Sequence, residues 1–211
     1  MIQSMFSTSK RFVILVGMIV AIASPSGAVI ITFLDQDIPI PTTFAGVSID
    51  LETGAFSNDL AGFPGADANF VFGGNGLTND ADETASTPSW QPVRSGSGNT
   101  DPVENLTFGT IVGPGSVTAN DFGGSGGTIS HFPPFTNGIS GYIGFTLETS
   151  GLTTAYGWMR VTLQNDNTAG VIHGWAYQDN GQPIPAGVIP EPSHAMLTCL
   201  GLAALALRRR R

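Results

Sequence analysis

The sequence predicts an all-β protein whose central part, residues 29–189, folds as a single antiparallel β-sandwich, with a jelly-roll as one candidate topology. Short runs rich in β-branched and aromatic residues recur between turn clusters, as strands do. No internal window keeps a 3.6-residue apolar period. Glycine and proline supply 25 and 11 of these 161 residues, a density that breaks long helices.

Seven segments of the central part are predicted strands. They are Val29–Leu34, Gly46–Leu51, Asn69–Phe72, Asn105–Val112, Gly141–Glu148, Gly157–Gln164 and Gly170–Tyr177. Alternation within the last two predicts which side chains share a face. One face groups Met159, Val161 and Leu163, and the heavier face of the last strand groups Val171, His173, Trp175 and Tyr177.

Two glycine-rich stretches, Gly73–Ser89 and Gly113–Gly138, read as surface loops between strands. Neither resembles a linker between domains, and the chain shows no internal repeat. We therefore expect one folded domain at residues 29–189.

Residues 1–28 have the three parts of a secretory signal peptide. Lys10 and Arg11 precede an apolar run of 12 residues, Phe12–Ala23, and small residues precede a cut after Ala28. Twelve residues are short for a permanent span, which needs about 20. The alternative is an uncleaved N-terminal anchor.

Residues 190–211 combine a short motif, an apolar helix and a basic end. Pro190, Glu191 and Pro192 lead into Ala195–Leu207, which Arg208, Arg209, Arg210 and Arg211 follow. Thirteen helical residues span about 20 Å, less than the ~30 Å hydrocarbon core, so a transient insertion requires local thinning. The arginines should stay cytoplasmic and hold the central domain on the far side of the membrane.

This C-terminal order resembles the PEP-CTERM sorting signal, which a membrane-embedded exosortase reads. The resemblance implies a sorting substrate of a two-membrane bacterium that makes extracellular polysaccharide. It also implies transient insertion in the inner membrane and delivery to the envelope, cell surface or outside. A plain membrane anchor is the alternative.

The predicted strands carry a second resemblance. Gly141–Phe145, Tyr156–Val161 and Gly174–Tyr177 are similar to the C-terminal strands of PEP-CTERM surface proteins, and Gly46–Gly54 is similar to their N-terminal strand and turn. These proteins have no assigned enzymatic activity as a group, so the resemblance implies that this chain is not an enzyme.

Charge excludes several partners. Residues 29–189 hold two basic residues, Arg94 and Arg160, against fifteen acidic ones, a net charge of −13. Such a domain repels phosphate backbones and anionic headgroups, so we expect no nucleic-acid partner. Cys199, the sole cysteine, lies in the tail, so the domain has no disulfide.

Motifs for catalysis are weak. Gly123–Gly127 matches the G-x-S-x-G pattern, but it lacks the strand and helix that a nucleophile elbow needs. His131 and His173 are the only histidines of the domain and show no zinc-ligand spacing, so we interpret them as a loop residue and a strand residue.

Acidic residues in turns offer oxygen ligands for calcium. Asp80, Asp82 and Glu83 are the best candidates, although they do not follow the D-x-D-x-D-G pattern. The sequence favours the alternative of a solvated acidic surface, with no cofactor.

Tryptophans could stack on sugar rings. Trp158 and Trp175 lie on neighbouring predicted strands, where burial is the favoured interpretation, and Trp90 beside two prolines is the best candidate for an exposed ring.

Two functions remain. The favoured one is a structural or interaction protein of the envelope or extracellular matrix, without catalysis. The alternative is a carbohydrate-binding module for extracellular polysaccharide, with or without Ca²⁺.

Overall fold

The computed structural model describes residues 29–59, 63–79, 90–98, 101–118, 135–151, 153–164 and 167–189. These residues form twelve strands, all paired antiparallel, and one 3₁₀ turn, Phe72–Gly74. The predicted all-β class is confirmed. The terminal segments 1–28 and 190–211, predicted as signal helix and sorting helix, lie outside the described residues.

A six-stranded sheet forms the centre of the fold. Its main order is β1 (Ile30–Phe33), β11 (Gly170–Gln178), β10 (Thr154–Thr162), β9 (Ser140–Glu148) and β7 (Trp90–Pro92). The sixth strand, β2 (Ile38–Ile40), pairs with the first residues of β11, while β1 pairs with its last residues.

Two smaller sheets accompany it. One has the order β4 (Phe56–Ser57), β3 (Val47–Ile49), β5 (Ala68–Val71), β6 (Gly76–Asn79). The other pairs β8 (Ile111–Val112) with β12 (Ile184–Pro185).

The main hydrophobic core joins the six-stranded and four-stranded sheets. Ile49 and Phe70 from the smaller sheet share one buried cluster with Phe145, Met159 and Trp175 from the larger sheet. The predicted grouping of Met159, Val161 and Leu163 on one face is confirmed, because all three are buried in this core.

A second core lies on the opposite, outer face of the six-stranded sheet. Trp158 of β10 and Ala176 of β11 pack there with Val112 of β8 and Ile184 of β12. The sheet is therefore buried on both faces where β8 and β12 cover it.

A β-bulge in β11 changes the predicted face of that strand. Arg160 pairs with Gly174 but Val161 pairs with Ile172, so His173 is the extra residue. Beyond the bulge Trp175 and Tyr177 face the main core as predicted. Before it the prediction was wrong, because Ile172 and not Val171 is buried in that core.

Several short strands escaped prediction. The stretch Gly73–Ser89, predicted as a loop, contains β6, which pairs with β5 along four residues. Of the predicted strand Asn105–Val112 only the last two residues are a strand.

Candidate functional site

Most sequence-predicted site residues lie outside the described part of the chain. This holds for the sorting motif Pro190, Glu191 and Pro192, for Arg208–Arg211, and for the calcium candidates Asp80, Asp82 and Glu83. Their roles stay predictions. Among the described residues no group of three or more His, Cys, Asp or Glu side chains could hold a metal ion.

The predicted exposed ring at Trp90 was wrong. Trp90 is fully buried, since it starts strand β7, pairs with Leu147 of β9 and packs beside Phe70 and Phe145. Pro92, one of the two prolines that suggested a loop, lies in β7 at the edge of the six-stranded sheet, where a missing N–H is tolerated.

Trp158 and Trp175 cannot form one stacking platform. Both are buried, with 3% and 0% of their surface exposed. They also lie on opposite faces of the six-stranded sheet, because Trp158 pairs with Ala176 while Met159 pairs with Trp175. Successive residues of a strand point to opposite faces, so two indoles one register step apart diverge.

The outer face of the same sheet instead carries a chain of four polar side chains, which we call the hydroxyl–imidazole–carboxylate relay: Ser140, Thr162, His173 and Asp37. Thr162 Oγ1 lies 2.8 Å from His173 Nε2, and His173 Nδ1 lies 2.8 Å from Asp37 Oδ1. Ser140 Oγ lies 2.8 Å from Thr162 Oγ1 and 3.5 Å from His173 Nε2.

Strand pairing brings these residues together. Ser140 of β9 and Thr162 of β10 are register partners on one face. His173 is the bulged residue of β11, and a bulge redirects a side chain toward a neighbouring strand. Asp37 comes just before β2, and the backbone N–H of Gln36 donates to the His173 carbonyl oxygen at 2.9 Å.

The protons of the relay follow from its chemistry. An ionised carboxylate only accepts hydrogen bonds, so His173 Nδ1 carries the proton directed at Asp37. In the neutral imidazole Nε2 then accepts the proton of the Thr162 hydroxyl, and Ser140 donates to Thr162 Oγ1. We infer this tautomer from the hydrogen-bond pattern.

The backbone around the relay is costly to form. Asp35 and Asp37 have φ angles of 52° and 45°, a region that non-glycine residues adopt rarely. At Gly174 a Cβ atom would collide with the carbonyl oxygen of Phe33 and lie 3.0 Å from the Cα of Leu34. Glycine is therefore required where the Leu34–Asp37 connection crosses the bulge.

The relay is accessible to solvent. The side chain of His173 is 26% exposed and that of Asp37 is 69% exposed. Ser140 is exposed as well, and Thr162 is half-buried. The covering strands β8 and β12 pack farther along the sheet, on Trp158 and Ala176.

The two basic residues of the domain differ in their environments. Arg160 is exposed and stands two residues before Thr162, on the same face of β10. Arg94 is buried, and its Nη1 donates to the Asp101 carbonyl oxygen at 2.6 Å. Burial lowers the pKa of Arg94, and the nearby Asp101 charge opposes that shift.

Sequence reasoning missed the relay. Its members come from four separate segments. Of the four, only His173 was considered in the sequence analysis, where it was interpreted as a strand residue. No sequence spacing marks hydroxyl, imidazole and carboxylate groups that meet only through strand pairing and a bulge.

The described part of the chain contains no helix with the length and apolar character that a membrane crossing requires. No protein-family model, curated protein or solved structure matches the chain. The resemblance to a sorting signal therefore remains a hypothesis drawn from the sequence.

Proposed function

We propose that the protein is an exported component of the cell envelope or extracellular matrix of a two-membrane bacterium. In this proposal an exosortase processes it at Pro190-Glu191-Pro192, and the domain at residues 29–189, a single β-sandwich, has a structural or interaction role. The observation that carries the proposal is the order of signals: an N-terminal leader, then motif, apolar run and arginines at the C-terminus.

The chemistry of the two ends supports this route. The apolar run of the tail is shorter than the hydrocarbon core, which suits a transient insertion better than a permanent anchor. Four arginines oppose translocation and keep the end of the chain cytoplasmic. The acidic, cysteine-free domain would remain on the outer side and needs no oxidative folding there.

The intact mass and cell fraction of the protein from its native host test the proposal. With the exosortase present we expect a species that begins at Val29 and ends near Pro190–Pro192, outside the inner membrane. Replacing Pro190, Glu191 and Pro192 by alanine should leave the tail uncut, whereas the matched variant His194→Ala should be processed normally. A full-length tail in the inner membrane of both exosortase-positive and exosortase-negative strains would contradict the proposal.

A second candidate function, binding of extracellular polysaccharide, is supported by a polar groove and not by the tryptophans. The groove, of about 250 Å³, lies beside the Gly113–Ser116 turn. Its lining includes Gln91, Thr146, Glu148, Thr154 and Tyr156, which offer hydrogen-bonding groups and one aromatic ring for a sugar.

Affinity electrophoresis through gels that contain the host's own polysaccharide tests this function. Tyr156→Ala should restore the mobility of a retarded protein, and Arg160→Gln, outside the groove lining, should not. Equal mobility of the unmodified protein with and without polysaccharide would exclude the groove as a sugar site.

A further inference from the structure

We propose that the relay is a nucleophilic acyl-transfer site, in which Thr162 attacks an ester carried by an anionic molecule. This activity goes beyond the proposed envelope role and adds chemistry to a domain whose sequence predicts none. A hydroxyl, an imidazole and a carboxylate in hydrogen-bonded succession form the arrangement that activates serine and threonine nucleophiles on unrelated folds.

Thr162 is the nucleophile because its oxygen has the shorter bond to the base. Thr162 Oγ1 lies 2.8 Å from His173 Nε2, within the range expected of a nucleophile and its base, whereas Ser140 Oγ lies at 3.5 Å. In the resting site the Ser140 hydroxyl donates to Thr162 Oγ1, and it becomes free to donate elsewhere when that oxygen bonds to the carbonyl carbon. It is therefore placed to donate to the oxyanion that develops on the ester carbonyl.

The relay has features that packing alone does not require. A bulge aims His173 at Thr162, and Asp37 adopts a positive φ to reach Nδ1. Bulges and rare backbone conformations each cost energy and cluster near functional sites. Here both occur on the two residues that orient the hydroxyl, and all four relay side chains lie on the accessible end of the sheet.

Arg160 defines the substrate class. It stands on the same face of β10 as Thr162, two residues away and thus about 7 Å along the strand. Arg160 forms no salt bridge with the described residues. An exposed guanidinium in a strongly acidic domain would hold a carboxylate or sulfate of the ester-bearing molecule next to Thr162.

The reaction balances without a further reactant except water. Thr162 Oγ1 forms a bond to the carbonyl carbon while its proton passes to His173 Nε2, and Asp37 stabilises the imidazolium. The ester C–O bond breaks, and the leaving alcohol takes the proton from Nε2. Water then attacks the Thr162 ester by the same path, which releases the acid and restores the hydroxyl.

The test uses the full-length protein with p-nitrophenyl acetate. We expect release of p-nitrophenol together with one acetyl group on the protein, detected by intact mass. Trypsin cuts after Arg160 and thereby places Ser140 and Thr162 on different peptides, so a digest identifies the acylated hydroxyl. The acetyl group should be found on the peptide that begins at Val161.

Matched variants distinguish acetylation at the relay from non-specific acetylation of surface side chains. Thr162→Val removes the hydroxyl and should abolish the adduct, while Thr32→Val, an exposed strand threonine of β1, should leave it unchanged. His173→Gln should slow acetylation by about 100-fold or more, the usual effect of losing a general base. Circular dichroism of each variant checks that the fold persists.

The proposed preference for an anionic substrate is tested separately, by measuring KM for an anionic ester. For the anionic ester mono-p-nitrophenyl succinate, Arg160→Gln should raise KM by about 10-fold, which corresponds to about 1.4 kcal/mol, whereas the control Thr32→Val should not raise it. No acetylation of the unmodified protein, an adduct that persists in Thr162→Val, or an adduct mapped to Ser140 would each overturn the assignment.

Discussion

Arg94 is the buried cation of the domain, and it organises the turn that follows β7. Only 2% of its surface is exposed, and it donates to the carbonyl oxygen of Asp101, whose Oδ2 accepts from the backbone N–H of Gly98 at 2.7 Å. A buried guanidinium is costly unless its hydrogen bonds are made, so the bond to the Asp101 carbonyl oxygen offsets part of the cost of burying Arg94.

Replacing Arg94 should therefore destabilise the protein. We expect Arg94→Met to lower the free energy of unfolding by about 1–3 kcal/mol, because it leaves the Asp101 carbonyl oxygen without its donor. The matched variant Arg160→Met removes an exposed arginine and should change stability by less than about 0.5 kcal/mol. Urea titration measures both, and equal losses would contradict the role given to Arg94.

Tyr177 makes stability sensitive to alkaline pH. Burial, together with the negative charges of Glu52, Asp179, Asp50 and Asp67, raises its pKa from the usual 10.0 to about 12. Above pH 10 the unfolded chain loses this proton while the folded chain keeps it, so the stabilisation present below pH 10 is lost as pH rises toward 12.

The expected loss between pH 10 and 12 is about 1–3 kcal/mol. It should be absent in Tyr177→Phe, which has no proton to lose, and retained in the control Tyr156→Phe. Unfolding in urea at several alkaline pH values checks this difference. A Tyr177→Phe protein with the same pH slope as the unmodified protein would refute the assignment.

At the scale of elements, the β11 bulge depends on one glycine. Gly174→Ala would place a methyl group against the Phe33 carbonyl oxygen and the Leu34 Cα, both backbone atoms that cannot rotate away. We expect a loss of about 2–4 kcal/mol in the free energy of unfolding and a weaker contact between His173 and Asp37.

Gly115 provides the matched control for that prediction. Nothing lies within 4 Å of a Cβ atom built at Gly115, so Gly115→Ala should alter stability by less than about 0.5 kcal/mol. If Gly174→Ala unfolds at the same urea concentration as Gly115→Ala, the connection between β1 and β2 does not pass the bulge as closely as the structure shows.

Sequence patterns predicted the long strands and failed at the short ones for a physical reason. β9, β10 and β11 each have nine residues, enough for alternation to show. Strands of two to four residues such as β4 and β6 carry no such period, since they are defined by their partners. The burial of Trp90 was missed for the same reason, because it follows from the pairing of β7 with β9 and not from the residues next to Trp90 in the chain.

The same limit explains why the candidate site could not be predicted. Asp37 and His173 are separated by 136 positions in the chain, and their contact exists because β1 and β2 pair with opposite ends of β11. The bulge also reverses which side chains of β11 face the core, and a strict period of two cannot anticipate that reversal.

At the scale of the whole molecule, the layers determine which surfaces remain for contact. The four-stranded sheet shares the main core with one face of the six-stranded sheet, and β8 with β12 covers part of the other face. The uncovered end of that outer face carries the relay and Arg160. A partner or substrate that approaches this face of the six-stranded sheet meets polar groups there and in the groove lined by Gln91, Thr146 and Tyr156.

The charge of the domain should make its stability depend on salt. Fifteen acidic residues against two basic ones repel one another more strongly in the compact state than in the unfolded chain. Raising NaCl from about 10 mM to about 150 mM shortens the Debye length to about 8 Å and should raise the thermal midpoint by a few degrees. Neutralising two of these charges with Glu148→Gln and Asp179→Asn should raise the midpoint at low salt and flatten its dependence on salt. A midpoint that falls with added NaCl would mean that attractive pairs, and not net repulsion, dominate the electrostatics of the folded domain.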